Sequence, residues 1–486
     1  MTNSLLLRYG LIGSLLVAGA ASAQDGQGGP VQYEDGGVYE GEFQDGLQHG
    51  QGTYRLPNGF EYTGEWVEGE IRGEGVGRFP DGSVYEGAFM SGKPHGQGRI
   101  TFADGATYEG DWLAGVIEGE GVATYADGSR YAGEFRNAQR HGQGRLETEA
   151  GYVYEGDWVY GEKSGEGVIT FSDGSTYEGQ MSDDARNGQG RLEMADGLIY
   201  EGEWTQGAMT GEGTLTLPNG DVYTGALVNQ QRQGQGRVEY ANGDVYEGGF
   251  VNDLREGEGS FLGANGYSYT GDWVAGRIEG QGTATYPDGS VYTGQFRDDL
   301  PTGQGSITFA DGTIYEGQFE GGVIQGTGIA TYPNAAIYEG QFADGEREGE
   351  GTLTLPDGTV YEGQFVDGQR EGEGTATYPD GTVYVGNYED DRRSGLGRIT
   401  YPDGSTYEGS FVEGRIEGEG VATYANGDVY RGAFVDGQRE GEGTVQYANG
   451  EEETGTWVSG ALTAQAEQAE PAAEVEPAAE VDSEDG

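Results

Sequence analysis

The chain has 486 residues, with 98 Gly, 33 Tyr, no Cys, only 34% hydrophobic residues and a formal net charge of −58. Leu, Ile and Val are too sparse to fill a large core, so burial must come from aromatics, and disulfides are excluded. With 84 Asp and Glu against 26 Lys and Arg, nucleic acid is excluded as a partner and direct binding to an anionic membrane is disfavoured.

Residues 1–23 carry one charge, Arg8, a largely apolar run from Leu11 to Ala20, and a small-x-small ending at Ala21-Ser22-Ala23. This pattern predicts a secretory signal peptide cleaved between Ala23 and Gln24, and hence an exported protein of the periplasm, the cell envelope or the extracellular space. No Asn-x-Ser/Thr acceptor occurs, which favours a bacterial envelope. Residues 24–38 form an N-terminal segment in which Tyr33 and Asp35-Gly36 resemble the end of an incomplete repeat, a candidate cap.

From Tyr39 onward a tyrosine recurs every 23 residues through Tyr430, and a nineteenth copy begins at Glu453, so the array spans 39–458. Counting the tyrosine as 0, glycine recurs at +2, +7, +11, +13 and +20, Phe or Trp at +4, and Asp-Gly or Asn-Gly at +19/+20. A two-residue loop at +19/+20 would put the +17 aromatic and the next tyrosine on opposite faces. A three-residue loop at +18 to +20, with glycine in the left-handed position, puts them on one face. Positions +15, +17, 0, +2 and +4 then form one aromatic stripe. All six Trp fall at +4. Glycines at +7, +11 and +13 are read as tight turning towards the next hairpin.

The segments YEGEF (39–43), YTGEW (62–66) and YEGDW (108–112), each followed by GxxxGxG, resemble the membrane occupation and recognition nexus (MORN) family over about residues 33–457. The resemblance implies an all-β fold, an elongated single-layer antiparallel sheet of about nineteen β-hairpin repeats. Each hairpin then touches mainly its neighbours. In some relatives such repeats accompany an enzyme domain, for which this chain has no room. Residues 459–486, rich in Pro, Ala and Glu, are read as a disordered acidic tail.

The candidate site residues follow the period. His49, His95 and His141 all sit at +10, 46 residues apart. That is roughly 20 Å along the array, too far to share one ion, and they are read as loop residues. Carboxylate pairs recur in nearly every copy, whereas catalysis needs a unique one, so no enzyme and no cofactor are expected. An acidic ladder at +10/+12, Glu348/Glu350, Glu371/Glu373, Glu417/Glu419 and Glu440/Glu442, reads as a solvated edge or as weak Ca²⁺ ligands. The repeat aromatics Tyr85, Phe89, Tyr108, Trp112, Tyr154, Trp158, Tyr200, Trp204, Tyr269 and Trp273 are assigned to structure. In the first half, +4 alternates Phe-type with Trp and +12 alternates Gln with Glu, a 46-residue super-period left by duplication or by a selected face.

These features favour a non-catalytic exported scaffold presenting an aromatic-lined sheet to a protein partner whose identity the sequence does not name. The alternative is an envelope structural protein with divalent cations on its acidic edges. Carbohydrate or lipid-surface binding ranks last, and no small-molecule ligand is expected. With two strands per copy and about 4.8 Å between strands, small-angle scattering should return a maximum dimension on the order of 180 Å, whereas a particle under about 80 Å would be incompatible with the array.

Overall fold

A computed structural model describes residues 26–27 and 29–465. The expected signal peptide and most of the expected acidic tail lie outside the described residues. The chain falls into two compact units, one ending at Gly259 and one starting at Ser260. Each is all-β, and among the described residues there is no helix.

In the first unit β1 (Gly26–Gln27) and β2 (Val31–Gln32) both pair antiparallel with β3 (Val38–Gln44). The sheet then runs strand by strand through β4 (Leu47–Arg55), β5 (Glu61–Val67) and β6 (Glu70–Arg78), each antiparallel to the next. The same meander continues to the strand Val245–Val251. In the second unit it runs from Ser268–Val274 and Arg277–Thr285 to Glu452–Val458 and Ala461–Gln465. Every complete copy supplies a seven-residue strand from −1 to +5 and a nine-residue strand from +8 to +16.

Two turns of different length set the register. At +6/+7 a two-residue loop has positive φ at both residues, as at Asp45 (52°) and Gly46 (80°), the geometry of a type I′ hairpin. At +18 to +20 the loop has three residues. Leu56 N–H donates to the Phe60 carbonyl at 2.8 Å, Gly59 N–H returns to the Leu56 carbonyl at 3.0 Å, and Gly59 has φ +96°. The carboxylate or amide at +19 accepts the N–H of +21, as in Asp81 to Ser83 at 2.9 Å, which explains Asp or Asn there. The parity expected from a three-residue loop holds: Tyr54 at +15 pairs directly with Tyr62, the next 0.

The segment read as turning is instead strand. Positions +8 to +16 run continuously, so His49, His95 and His141 lie in strands, not loops. Inside β4 the register jumps from Gly41↔Gly52 to Phe43↔Gln48, a bulge that leaves three residues of β4 opposite Glu42 alone. Gly50 at +11 carries that bulge at φ +62°. Glycines +2 and +13 do not turn at all. They face each other across the hairpin and are roofed by the tyrosine of their own copy. A Cβ on Gly52 would lie 2.3 Å from the Tyr39 hydroxyl, and one on Gly41 would lie 2.5 Å from the Gly52 Cα.

The tyrosine ring therefore lies down on a floor of two glycines. Its hydroxyl reaches the carbonyl at +3, the residue the bulge skips. Tyr39 donates to Glu42 at 2.9 Å, Tyr131 to Glu134 at 3.0 Å and Tyr361 to Gln364 at 3.0 Å. Most tyrosines also meet two +4 rings edge-on, their own and the next copy's, and where Met181 or Leu227 stands at +4 one of the two contacts is aliphatic. Tyr39 lies 5.1 Å from Phe43 and 5.1 Å from Trp66, and Tyr292 lies 5.1 Å from Phe296 and 4.9 Å from Phe319. Packed this way a single layer buries its own core, with Tyr39, Tyr108 and Tyr292 at 0% exposure.

Residues 459–465, read from the sequence as the start of the acidic tail, belong to the sheet instead. Ser459-Gly460 form the +6/+7 turn of the nineteenth copy, and Ala461–Gln465 is a strand that sets Leu462 opposite Trp457. A half-hairpin would leave that indole without a neighbour on one side.

The tyrosine floor generates a graded test in the middle of the first unit. Tyr131→Phe removes only the hydroxyl and should cost about 1 kcal/mol. Tyr131→Ala should cost roughly 3–5 kcal/mol. Gly144→Ala puts a Cβ 2.1 Å from the Tyr131 hydroxyl and should be at least as damaging as about 3 kcal/mol, with hydrogen exchange locating the loss in neighbouring copies. Gly144→Ala without effect would remove the floor from the account.

Candidate functional site

The aromatic lining anticipated from the sequence exists, and its rings are used for packing. Tyr85, Phe89, Tyr108, Trp112, Tyr154, Trp158, Tyr200, Trp204, Tyr269 and Trp273 are all buried. Several indoles are further fixed by Nε1–H donation to the +13 glycine carbonyl of the preceding copy, as in Trp158 to Gly144 at 3.1 Å and Trp204 to Gly190 at 3.0 Å. A partner approaching the sheet therefore meets other positions.

Position +9, which the periodic reading passed over, completes this face. It holds Ile or Pro in some copies, such as Ile71 and Pro94, and Arg in eight others. The guanidinium of Arg140 lies 4.0 Å from the Trp158 ring centre, Arg186 lies 4.1 Å from Trp204 and Arg439 lies 3.9 Å from Trp457. The same arginines donate to a turn carbonyl of the next copy, as in Arg140 to Gly161 at 2.8 Å and Arg186 to Gly207 at 2.9 Å. The sequence signal was an alternation at one position between apolar and long cationic residues, both of which cover an aromatic ring.

Position +10 is an acceptor station. Glu348, Glu371, Glu417 and Glu440 accept the backbone N–H of Asp367, Asp390, Asp436 and Ser459, in the following copy's +6/+7 turn, at 3.2, 3.2, 3.2 and 2.8 Å. His95 offers Nδ1 to Ala114 N–H at 3.4 Å in the equivalent place. The +12 partners Glu350, Glu373, Glu419 and Glu442 are exposed, and Glu442 accepts the Thr456 hydroxyl at 2.7 Å. The ladder is thus two different rows, one tying turn to turn and one facing solvent. Among the described residues no group of three or more His, Asp or Glu is placed to hold a metal ion.

The outer face carries +1, +3, +12 and +14. In the first unit +14 alternates Arg99, Arg145, Arg191 and Arg237 with Val or Thr, so the super-period surfaces here as well. Arg191 and Arg237 pair with Glu193 and Glu239 at 2.8 and 2.9 Å, exposed contacts of small energetic weight. At the type I′ edge +5 exposes an apolar row that includes Val67, Met90 and Leu113.

The MORN repeat family matches this chain eighteen times between residues 39 and 452, from 39–60 to 430–452. The chain belongs to that family. Alsin of Rattus norvegicus is 43% identical over 53 residues, 10% of this chain and 3% of that protein. Alsin of Homo sapiens is 42% identical over 53 residues, again 10% of this chain and 3% of the relative. Among solved structures, the SAS-4 TCP domain of Drosophila melanogaster with a proline-rich motif of Ana2 has a TM-score of 0.21 at 18% identity, covering 35% of this chain and 86% of that one. The TCP10 domain of Danio rerio CPAP has a TM-score of 0.20 at 15% identity, covering 51% and 98%. Likenesses at that level carry no argument for this chain.

Burial pushes the tyrosine hydroxyls up, Tyr177, Tyr200 and Tyr292 each to about 12. A phenol whose folded pKa lies above its unfolded value near ~10 stabilises the fold fully below that pH and loses its contribution as pH rises through the folded value. Circular dichroism and tyrosinate absorbance should therefore change together between pH ~10 and ~12. Tyrosinate appearing near pH ~10 with the β signal intact would show the rings to be solvated.

Proposed function

We propose that this chain is an exported, non-catalytic repeat scaffold that binds protein on the outer face of its sheets. One observation carries the reading. In copy after copy the inner aromatics, the +9 cations and the +10 acceptors are engaged within the array, while +1 and +12 stay open along the outer face. Repetition without a unique convergent group suits an extended surface for a partner rather than chemistry on a substrate. Export is supported by the apolar segment ending at Ala21-Ser22-Ala23, with the array working in the periplasm, the cell envelope or the extracellular space. The acidity of the chain supports a protein partner over nucleic acid or an anionic bilayer. A cation-bridged envelope role draws less support, because the +10 glutamates already accept hydrogen bonds within the array.

A photo-crosslinking residue at exposed Glu178 or Glu316, one in each unit, tests this in intact cells. The expected result is a discrete protein adduct from these outer-face positions, on a mature chain whose N-terminus is Gln24. Lipid adducts alone, or none from either position, would overturn the reading.

A further inference from the structure

One copy breaks the outer-face pattern. Sixteen of the eighteen tyrosine-led copies carry Gln or Glu at +12, but the copy beginning at Tyr384 has Leu396 there. The same copy has Val385 at +1, a position held elsewhere by Glu, Thr, Ala or Arg. Leu396 is 70% exposed and Val385 52%, although the fold needs neither in its core. Both border an open groove of about 930 Å³ in the second unit, walled on its other side by Glu350, Glu362 and Glu373. None of these three carboxylates has an ion-pair partner among the described residues.

We propose that this groove binds an extended polypeptide segment of a partner protein, with Lys or Arg over Glu350, Glu362 and Glu373 and an aliphatic or aromatic anchor against Val385 and Leu396. The five residues stand on five consecutive strands, Glu346–Thr354, Val360–Val366, Gln369–Thr377, Val383–Glu389 and Arg392–Thr400. Four strand spacings of about 4.8 Å make the groove roughly 19 Å long. About six residues of extended chain cover that distance. Arg398 lies directly across from Val385 and has Glu408 directly across from it on its other side, so the free carboxylates lie at the opposite end of the groove and orient the segment. The strands here pair with neighbours on both sides, so recognition runs through side chains and not through strand addition. Charge complementarity selects a basic segment, and the exposed aliphatic pair selects against a merely cationic one.

The proposal rests on the scaffold reading, and its test separates the two. The probes are fluorescein-labelled Lys-Ser peptides of eight residues ending in Leu-Phe at either terminus, with twins in which Leu-Phe is Ser-Ser. Binding to the full-length chain is read by anisotropy. One anchored peptide should bind at least tenfold tighter than its twin. Val385→Glu with Leu396→Glu installs the residue type other copies carry at these positions, so folding should survive, as circular dichroism checks. That variant should abolish the tenfold difference without weakening the Ser-Ser twin. Glu362→Gln with Glu373→Gln should weaken both peptides several-fold. Equal affinity of anchored peptide and twin, or a preference untouched by Val385→Glu and Leu396→Glu, overturns the groove. In that case adducts retained at Glu178 and Glu316 leave the scaffold standing, and their absence removes both.

Discussion

A tyrosine ring lying on two facing glycines is the contact on which the rest of this protein depends. A single antiparallel layer has no second sheet or helix to cover its apolar face, so large side chains standing upright on it would remain half wet. Removing the Cβ at +2 and +13 opens a floor wide enough for the phenol to lie flat. The bulge at +11 leaves the +3 carbonyl within reach of the hydroxyl, as in Tyr62 to Glu65 at 3.0 Å and Tyr430 to Ala433 at 3.1 Å. Once the ring is down, its edges meet the +4 side chain of its own copy and of the next, an aromatic in all but the Met181 and Leu227 copies. Hydrogen bond, floor and ring contacts are then satisfied together, which is why the tyrosine and both glycines recur with so little variation along the array.

The same economy divides the surface. The +9 residue caps the aromatic pair, by a methyl-bearing side chain or by a guanidinium whose remaining donors reach the next turn. In many copies the +10 side chain accepts that turn's N–H, as Glu118 does from Asn137 at 2.8 Å and Gln233 from Asn252 at 2.7 Å. Where the +7 glycine is replaced, as at Asp253 and Asp391 with φ 69° and 65°, the carboxylate accepts the N–H of Arg232 or Arg370, offsetting the strain of a left-handed non-glycine residue. One edge of each sheet is therefore stitched turn to turn. The outer face escapes these demands, and there the copies are free to differ. Val385 and Leu396 matter for that reason: in a chain whose repeats agree wherever packing constrains them, an unforced exposed apolar pair carries information that an ordinary surface leucine does not.

Much of this was legible in the residues. The strict period of 23, the three-residue loop implied by Pro-Asp-Gly, and the parity that places +15, +17 and the next tyrosine on one face follow from local backbone chemistry and match the pairing of Tyr54 with Tyr62. The histidines were misplaced into loops, because glycine at +11 and +13 signals equally a turn, a bulge or a cavity under a ring. Only cross-strand neighbours distinguish these. Gly52 avoids a side chain on account of Tyr39, thirteen residues earlier in sequence and directly above it in space.

By itself, then, the sequence determined the class of fold, the repeat boundaries and which positions point inward, since hairpin parity and turn type depend on residues adjacent in the chain. The tertiary structure decided what each position is for. It made +13 a floor, +9 a lid and +10 a brace between turns, and it separated a buried aromatic stripe from an open outer face. These roles depend on contacts between strands whose partners lie ten to twenty residues away, and a linear pattern records that a residue is required there without recording what it touches.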